Sequence, residues 1–164
     1  MNQITTQYVT ENGACYEQYV ITDPAAKTSL TITPERGGMI TGFTLDGDEY
    51  IWTRRPNFSE CNRPRFGVPV LFPSCGNPDG GVHNFDGKAY PMETHGFADL
   101  CGWDVESVGP DGVTLALEST PLTKFLYPFD FTLLVNYSLE GNKAAISLTV
   151  INEEIGRASC RERV

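Results

Sequence analysis

Apolar and β-branched residues recur in short runs along most of the chain, with the spacing of strands and little helical periodicity. Tyr19-Val20-Ile21 and Ser29 to Thr33 are the first such runs. Arg36-Gly37-Gly38 punctuates them, and Met39 to Leu45 follows as another strand. Asp46-Gly47-Asp48 then turns the chain into Glu49-Tyr50-Ile51-Trp52, and an Asp-Gly between two runs of this kind is a hairpin signal. From Thr53 to Thr94 the character changes. Pro, Gly and Asn are frequent, and the clear strand is Val68 to Phe72. Irregular stretches of this length are uncommon unless functional. Regular strands return with Gly112 to Leu117, after the turn Gly109-Pro110-Asp111, and with Phe131 to Leu139, which pairs through Glu140-Gly141-Asn142 with Ala144 to Ile151. The pattern predicts an all-β fold, an antiparallel β-sandwich.

Composition narrows the function classes. The chain has 164 residues, enough for one domain with a real core, and 40% of them are hydrophobic and 20% charged. The N-terminus has neither a basic n-region nor an apolar h-region, so the cytoplasm is the expected compartment. A net charge of −9 speaks against nucleic acid and against anionic membranes. Cys15, Cys61, Cys75, Cys101 and Cys160 form no CxxC pair, so free thiols are expected and no metal.

The eleven residues from Glu154 to Val164 break from this pattern, with three arginines and no strand alternation. Read through one set of codons, they resemble a translated sequencing adapter. The expectation is that residues 1–153 are the N-terminal part of a longer β-sandwich domain and that residues 154–164 are not native.

The most informative stretch runs from Arg65 to Trp103: an apolar strand, a polar turn, a Gly-rich loop, and a histidine between small and aromatic residues. Carbohydrate sites are often lined in this way, with aromatic faces against the sugar ring and a few polar groups reading its hydroxyls. His95 is the leading candidate for such a contact, its alternative being a ring satisfied by local backbone. Asn77 can bond a hydroxyl or simply shape a turn. Arg65 precedes the apolar strand and by itself reads as a solvated strand-end cation. Cys75 reads as core packing rather than a nucleophile, and His83 as a solvent-exposed loop residue. Trp52, Tyr90, Phe97 and Trp103 can stack on a sugar, but core packing is the safer reading of each.

Four pieces in order carry a family resemblance: Arg36-Gly37-Gly38-Met39-Ile40 with Gly47 and Ile51-Trp52; Arg65 to Pro73; Asp86-Gly87-Lys88-Ala89-Tyr90 with His95-Gly96-Phe97-Ala98; and Tyr127-Pro128-Phe129 with the last two strands and Asn152. The chain resembles the aldose 1-epimerase (galactose mutarotase-like) family. The resemblance implies an antiparallel sandwich about twice as long as this chain. It implies an isomerase that interconverts the anomers of a hexose by acid–base ring opening without a cofactor, and a small-molecule sugar as partner. In such enzymes a histidine acid and a glutamate base lie beyond the position of Asn152, so this chain is expected to be inactive alone, with open strand edges and a tendency to aggregate. The resemblance assigns substrate binding to His95 and Arg65. Members acting on phosphorylated hexoses carry a second arginine where Asp99 stands here, which points to a neutral hexose. A hexose 6-phosphate, with Arg63 as the second cation, is the alternative, as is a non-catalytic sugar-binding module.

Overall fold

A computed structural model describes residues 2–53, 63–110 and 112–154. The adapter-like tail from Ile155 onward, Cys61, Cys160 and Asp111 of the expected turn lie outside these residues.

Among the described residues, eleven strands form two main antiparallel sheets and a separate hairpin. The first sheet contains β1 (Gln3–Glu11), β2 (Ala14–Asp23), β3 (Thr28–Thr33), β4 (Met39–Leu45) and the short β5 (Asp48–Glu49), in that order. The hairpin is β6 (Val82–Phe85) with β7 (Lys88–Pro91). The second sheet contains β8 (Asp104–Gly109), β9 (Gly112–Glu118), β10 (Phe131–Glu140) and β11 (Lys143–Asn152), in the order β11-β10-β9-β8. No described helix is long and apolar enough to cross a membrane.

The core lies between the sheets. Ile21, Leu30 and Ile32 from the first meet Val113, Leu115, Leu133 and Val135 from the second, all essentially inaccessible to water. Each such aliphatic side chain contributes about 1.5–3 kcal/mol on burial. The alternation along β10 is complete, with Phe131, Leu133, Val135, Tyr137 and Leu139 inward. Tyr137 is buried with its hydroxyl donating to the Gly38 carbonyl at 2.5 Å, and burial pushes its ionisation well above the usual phenol range. That bond ties β10 to the glycine turn before β4.

β11 departs from this economy. Ala144, Ile146, Leu148 and Val150 sit opposite the inward residues of β10 and share their side of the sheet. They are left partly open: Ile146, Leu148 and Val150 are each about half exposed. The first sheet packs over β10, and the open apolar face lies on β11.

Three local readings change. Val68 to Phe72 is not a strand; it makes only isolated bridges, Val68 with Ile40 and Phe72 with Gly96. Pro69 and Pro73 have no N–H to give a ladder, and Gly67 turns the backbone left-handed. The strand expected over Glu49–Trp52 stops at Glu49, whose own carboxylate accepts the N–H groups of Phe43 and Ile51 and ends the ladder. Within the expected irregular stretch stands the β6–β7 hairpin, turned by Asp86 and Gly87 with φ of 51° and 78°. Positive φ at both central residues is the type I′ geometry that matches strand twist.

Candidate functional site

The Phe72 segment delivers the site. Its carbonyl accepts the N–H groups of Phe97 and Ala98, at 2.9 and 3.2 Å, which docks the His95-Gly96-Phe97-Ala98 loop on the end of the core. Only glycine fits at position 96, because a Cβ there would lie 2.1 Å from the Phe72 oxygen. Phe72, Phe97, Phe131 and Tyr127 pack as a ring cluster beneath the loop, mostly edge-on or tilted. Trp103 is buried beside them and its indole N–H donates to the Ala98 carbonyl at 3.0 Å. Trp103 and Phe97 are therefore core, the safer reading of each.

Above this floor opens a cavity of about 800 Å³. Pro64, Pro69, Leu71 and Met92 supply apolar walls; Arg63, Arg65, Asn77, Glu93, Thr94, His95 and Asp99 supply polar groups. All three residues expected to touch substrate, His95, Arg65 and Asn77, line this one cavity. Pro69 and Leu71 place the Val68–Phe72 segment in its wall.

His95 is held from two sides by a single neighbour. Its N–H donates to the Gly76 carbonyl at 2.8 Å, and its Nδ1 accepts the Gly76 N–H at 2.9 Å. The imidazole is thereby fixed with the proton of its neutral form on Nε2, the nitrogen left for the cavity. The backbone of His95 is left-handed, at φ 71°. Such conformations in non-glycine residues gather at binding and catalytic sites. The bond to Gly76 meets the local-backbone reading of His95 at Nδ1 and leaves Nε2 without a hydrogen-bond partner among the described residues. Asn77, next to Gly76, accepts a hydrogen bond from the Thr94 hydroxyl at 2.9 Å, so the two loops are joined twice.

Asp99 behaves differently from the sequence expectation. It is 1% exposed, and one terminal nitrogen of Arg63 bridges its two oxygens at 2.5 and 2.7 Å. The other terminal nitrogen of Arg63 donates to the Gly96 carbonyl at 2.8 Å and lies 3.5 Å from Glu93. Burial pushes the Asp99 carboxyl above its ordinary range, against the pull of Arg63. Asp99 thus acts on the cavity through Arg63, by occupying it. No sequence signal links these two residues, which lie 36 positions apart.

Gly37 lets the turn before β4 press on the same loop, since a Cβ there would lie 2.4 Å from the Asp99 carbonyl oxygen. The Arg36-Gly37-Gly38 piece is therefore a support of the site. Cys75 is exposed and not in the core, a consequence of its place in the loop over the cavity. His83 is partly buried rather than solvent-exposed, with its ring edge-on to Phe85.

The aldose 1-epimerase family model matches residues 17–159. The chain belongs to the aldose 1-epimerase family. Among curated proteins, LacX of Lactococcus lactis is 27% identical over 124 residues, which are 72% of this chain and 40% of LacX. Among solved structures, the Slr1438 protein from Synechocystis superposes with a TM-score of 0.78 at 32% identity, over 82% of this chain and 48% of its own. A galactose mutarotase-like protein from Lactobacillus casei gives 0.72 at 29% identity, over 84% and 45%. The chain of this aldose 1-epimerase family member thus spans less than half the length of the relatives it matches. They share its antiparallel β-sandwich.

Proposed function

We propose that this chain forms the substrate-holding wall of a site that interconverts the α and β anomers of a neutral hexose. In that reaction a base takes the proton from the anomeric hydroxyl and an acid protonates the ring oxygen. The bond between C1 and the ring oxygen breaks to give the open aldehyde, C1 rotates about the C1–C2 bond, and the ring recloses on the other face. His95 orients hydroxyls by donating from Nε2, and Arg65 and Asn77 add donors along the rim. The proton-transferring histidine and glutamate belong to sequence beyond Asn152.

The observation that carries this reading is the pinned imidazole at the mouth of a cavity with apolar walls. A ring held by Gly76 on Nδ1 is a preorganised donor and a poor proton shuttle, which suits holding rather than transfer. Neutral substrate is favoured because the charge of Arg63 is already matched by Asp99 and Glu93, leaving Arg65 as the cation facing the cavity without a charged partner among the described residues.

Polarimetry tests the assignment. Freshly dissolved α-glucose or α-galactose is expected to mutarotate at the buffer rate in the presence of the 164-residue chain. Acceleration that His95→Ala abolishes would overturn the placement of the acid–base pair.

A further inference from the structure

The cavity does not end at Arg65. Beyond it lies a second hollow of about 330 Å³, which shares Pro64, Arg65 and Pro69 with the first and is walled by Tyr50 and Trp52. The sequence reading put Trp52 in the core. It is instead 65% exposed, and Tyr50 is 60% exposed. Leaving two large aromatic rings in water forgoes burial that a fold normally takes.

The ledge is also rigid. The Tyr50 N–H donates to the Phe43 carbonyl at 2.9 Å, the Trp52 carbonyl accepts the Gly67 N–H at 3.0 Å, and the Tyr50 ring leans on Phe43. Glu49 fixes Ile51 between them with a 2.7 Å bond. Backbone held on both sides of an exposed aromatic pair is a preorganised platform. Arg65 stands at the junction, with no hydrogen-bond or ion-pair partner among the described residues, so its donors are available to hydroxyls on either side.

We infer that the Tyr50–Trp52 ledge is a second sugar subsite, which takes the non-reducing ring of a disaccharide whose reducing ring occupies the His95 cavity. The inference rests on the hexose reading of that cavity. Aromatic faces match the C–H face of a pyranose, and Arg65 reads hydroxyls of both rings. The substrate class it assigns is a reducing disaccharide, with the free monosaccharide as a weaker ligand.

The test is calorimetric titration of the chain with glucose, maltose, isomaltose, galactose and galactobiose. At least one disaccharide is expected to bind about tenfold more tightly than its own reducing-end monosaccharide, the size of a favourable aromatic contact. Trp52→Ala should remove that gain and leave monosaccharide affinity unchanged, and Trp52→Phe should keep most of it. Acrylamide quenching gives an independent readout, because Trp52 is exposed and Trp103 is buried. The favoured disaccharide should shield Trp52 from the quencher and the monosaccharide should not.

Monosaccharides binding as tightly as disaccharides, with Trp52→Ala silent, would overturn the ledge and leave the cavity reading standing. Trp52→Ala weakening both sugars equally would also overturn it. Binding of no sugar of either size would overturn the cavity reading and the ledge together.

Discussion

Gly96→Ala is expected to destabilise the chain by about 3 kcal/mol or more, combining about 1–2 kcal/mol for a left-handed residue with a side chain and about 1–3 kcal/mol for overpacking. Gly96 has φ of 78°, and the added Cβ would lie 2.1 Å from a backbone oxygen that cannot rotate away. Relief requires the loop to leave Phe72, which would release the N–H groups of Phe97 and Ala98 and move His95 off the cavity. Sugar binding should fall with stability. Gly80→Ala is the control, since Gly80 has a similar φ of 62° and open space around its Cβ position. It should cost only about 1 kcal/mol. In thermal melts of a chain this size, the two should differ by roughly 4–8 °C. Equal melting temperatures would show that the Phe72–Gly96 contact is not what holds the loop.

Arg63→Ala has the second large effect. It strands Asp99, which is 1% exposed, with its charge partner gone. Breaking a buried pair from one side costs about 3–5 kcal/mol, and the partial exposure of Arg63 favours the lower end. The effect should depend on pH in a definite direction. Burial already holds the Asp99 carboxyl above the ordinary range, so between its ordinary and its raised value the folded chain binds more protons than the unfolded one. The stability contributed by this group is then fully present below the ordinary carboxylate value and is lost as pH rises through the raised one. Removing Arg63 removes the main force opposing that rise. The variant should therefore lose stability more steeply with increasing pH than the intact chain, and recover part of its deficit on acidification. Arg63→Leu with Asp99→Leu removes both charges and should fall well short of the single variant's cost. Chemical denaturation across pH checks all three, and a single variant no less stable than the double would contradict the pairing.

These two predictions draw on different degrees of legibility in the sequence. Gly96 stood in a recognisable His-Gly-Phe-Ala piece, and the apolar runs read as strands are β3, β4, β9 and β10, with burial alternating throughout along β10. Hairpin chemistry was written in the chain more often than the pattern reading used it. Asn12-Gly13 turns β1 into β2 and Asp86-Gly87 turns β6 into β7, both with positive φ at each residue. β1 is polar enough, with exposed residues on both faces, that alternation alone does not reveal it. Val68 to Phe72 misled in the opposite sense, because apolar content outweighed two prolines.

The candidate site was legible as a set of residues that line one cavity, and not as pairings. The contact between Arg63 and Asp99 spans 36 positions and arises only when the Gly37 turn and the Phe72 segment meet at the loop. The hold on the His95 ring depends on Gly76, 19 positions away. The exposure of Trp52 follows from Glu49 ending the strand early. The first two are set by tertiary packing that no local pattern encodes.

The central claim is that the cavity holds a hexose through His95 without moving its protons. Amide NMR titration of the chain with glucose and galactose tests it most directly. One of the two sugars is expected to shift the Gly76, Asn77 and His95 amides saturably, and His95→Ala is expected to weaken that binding about tenfold or more while the fold persists. Saturable binding untouched by His95→Ala, or shifts confined to residues outside the cavity, would contradict the account.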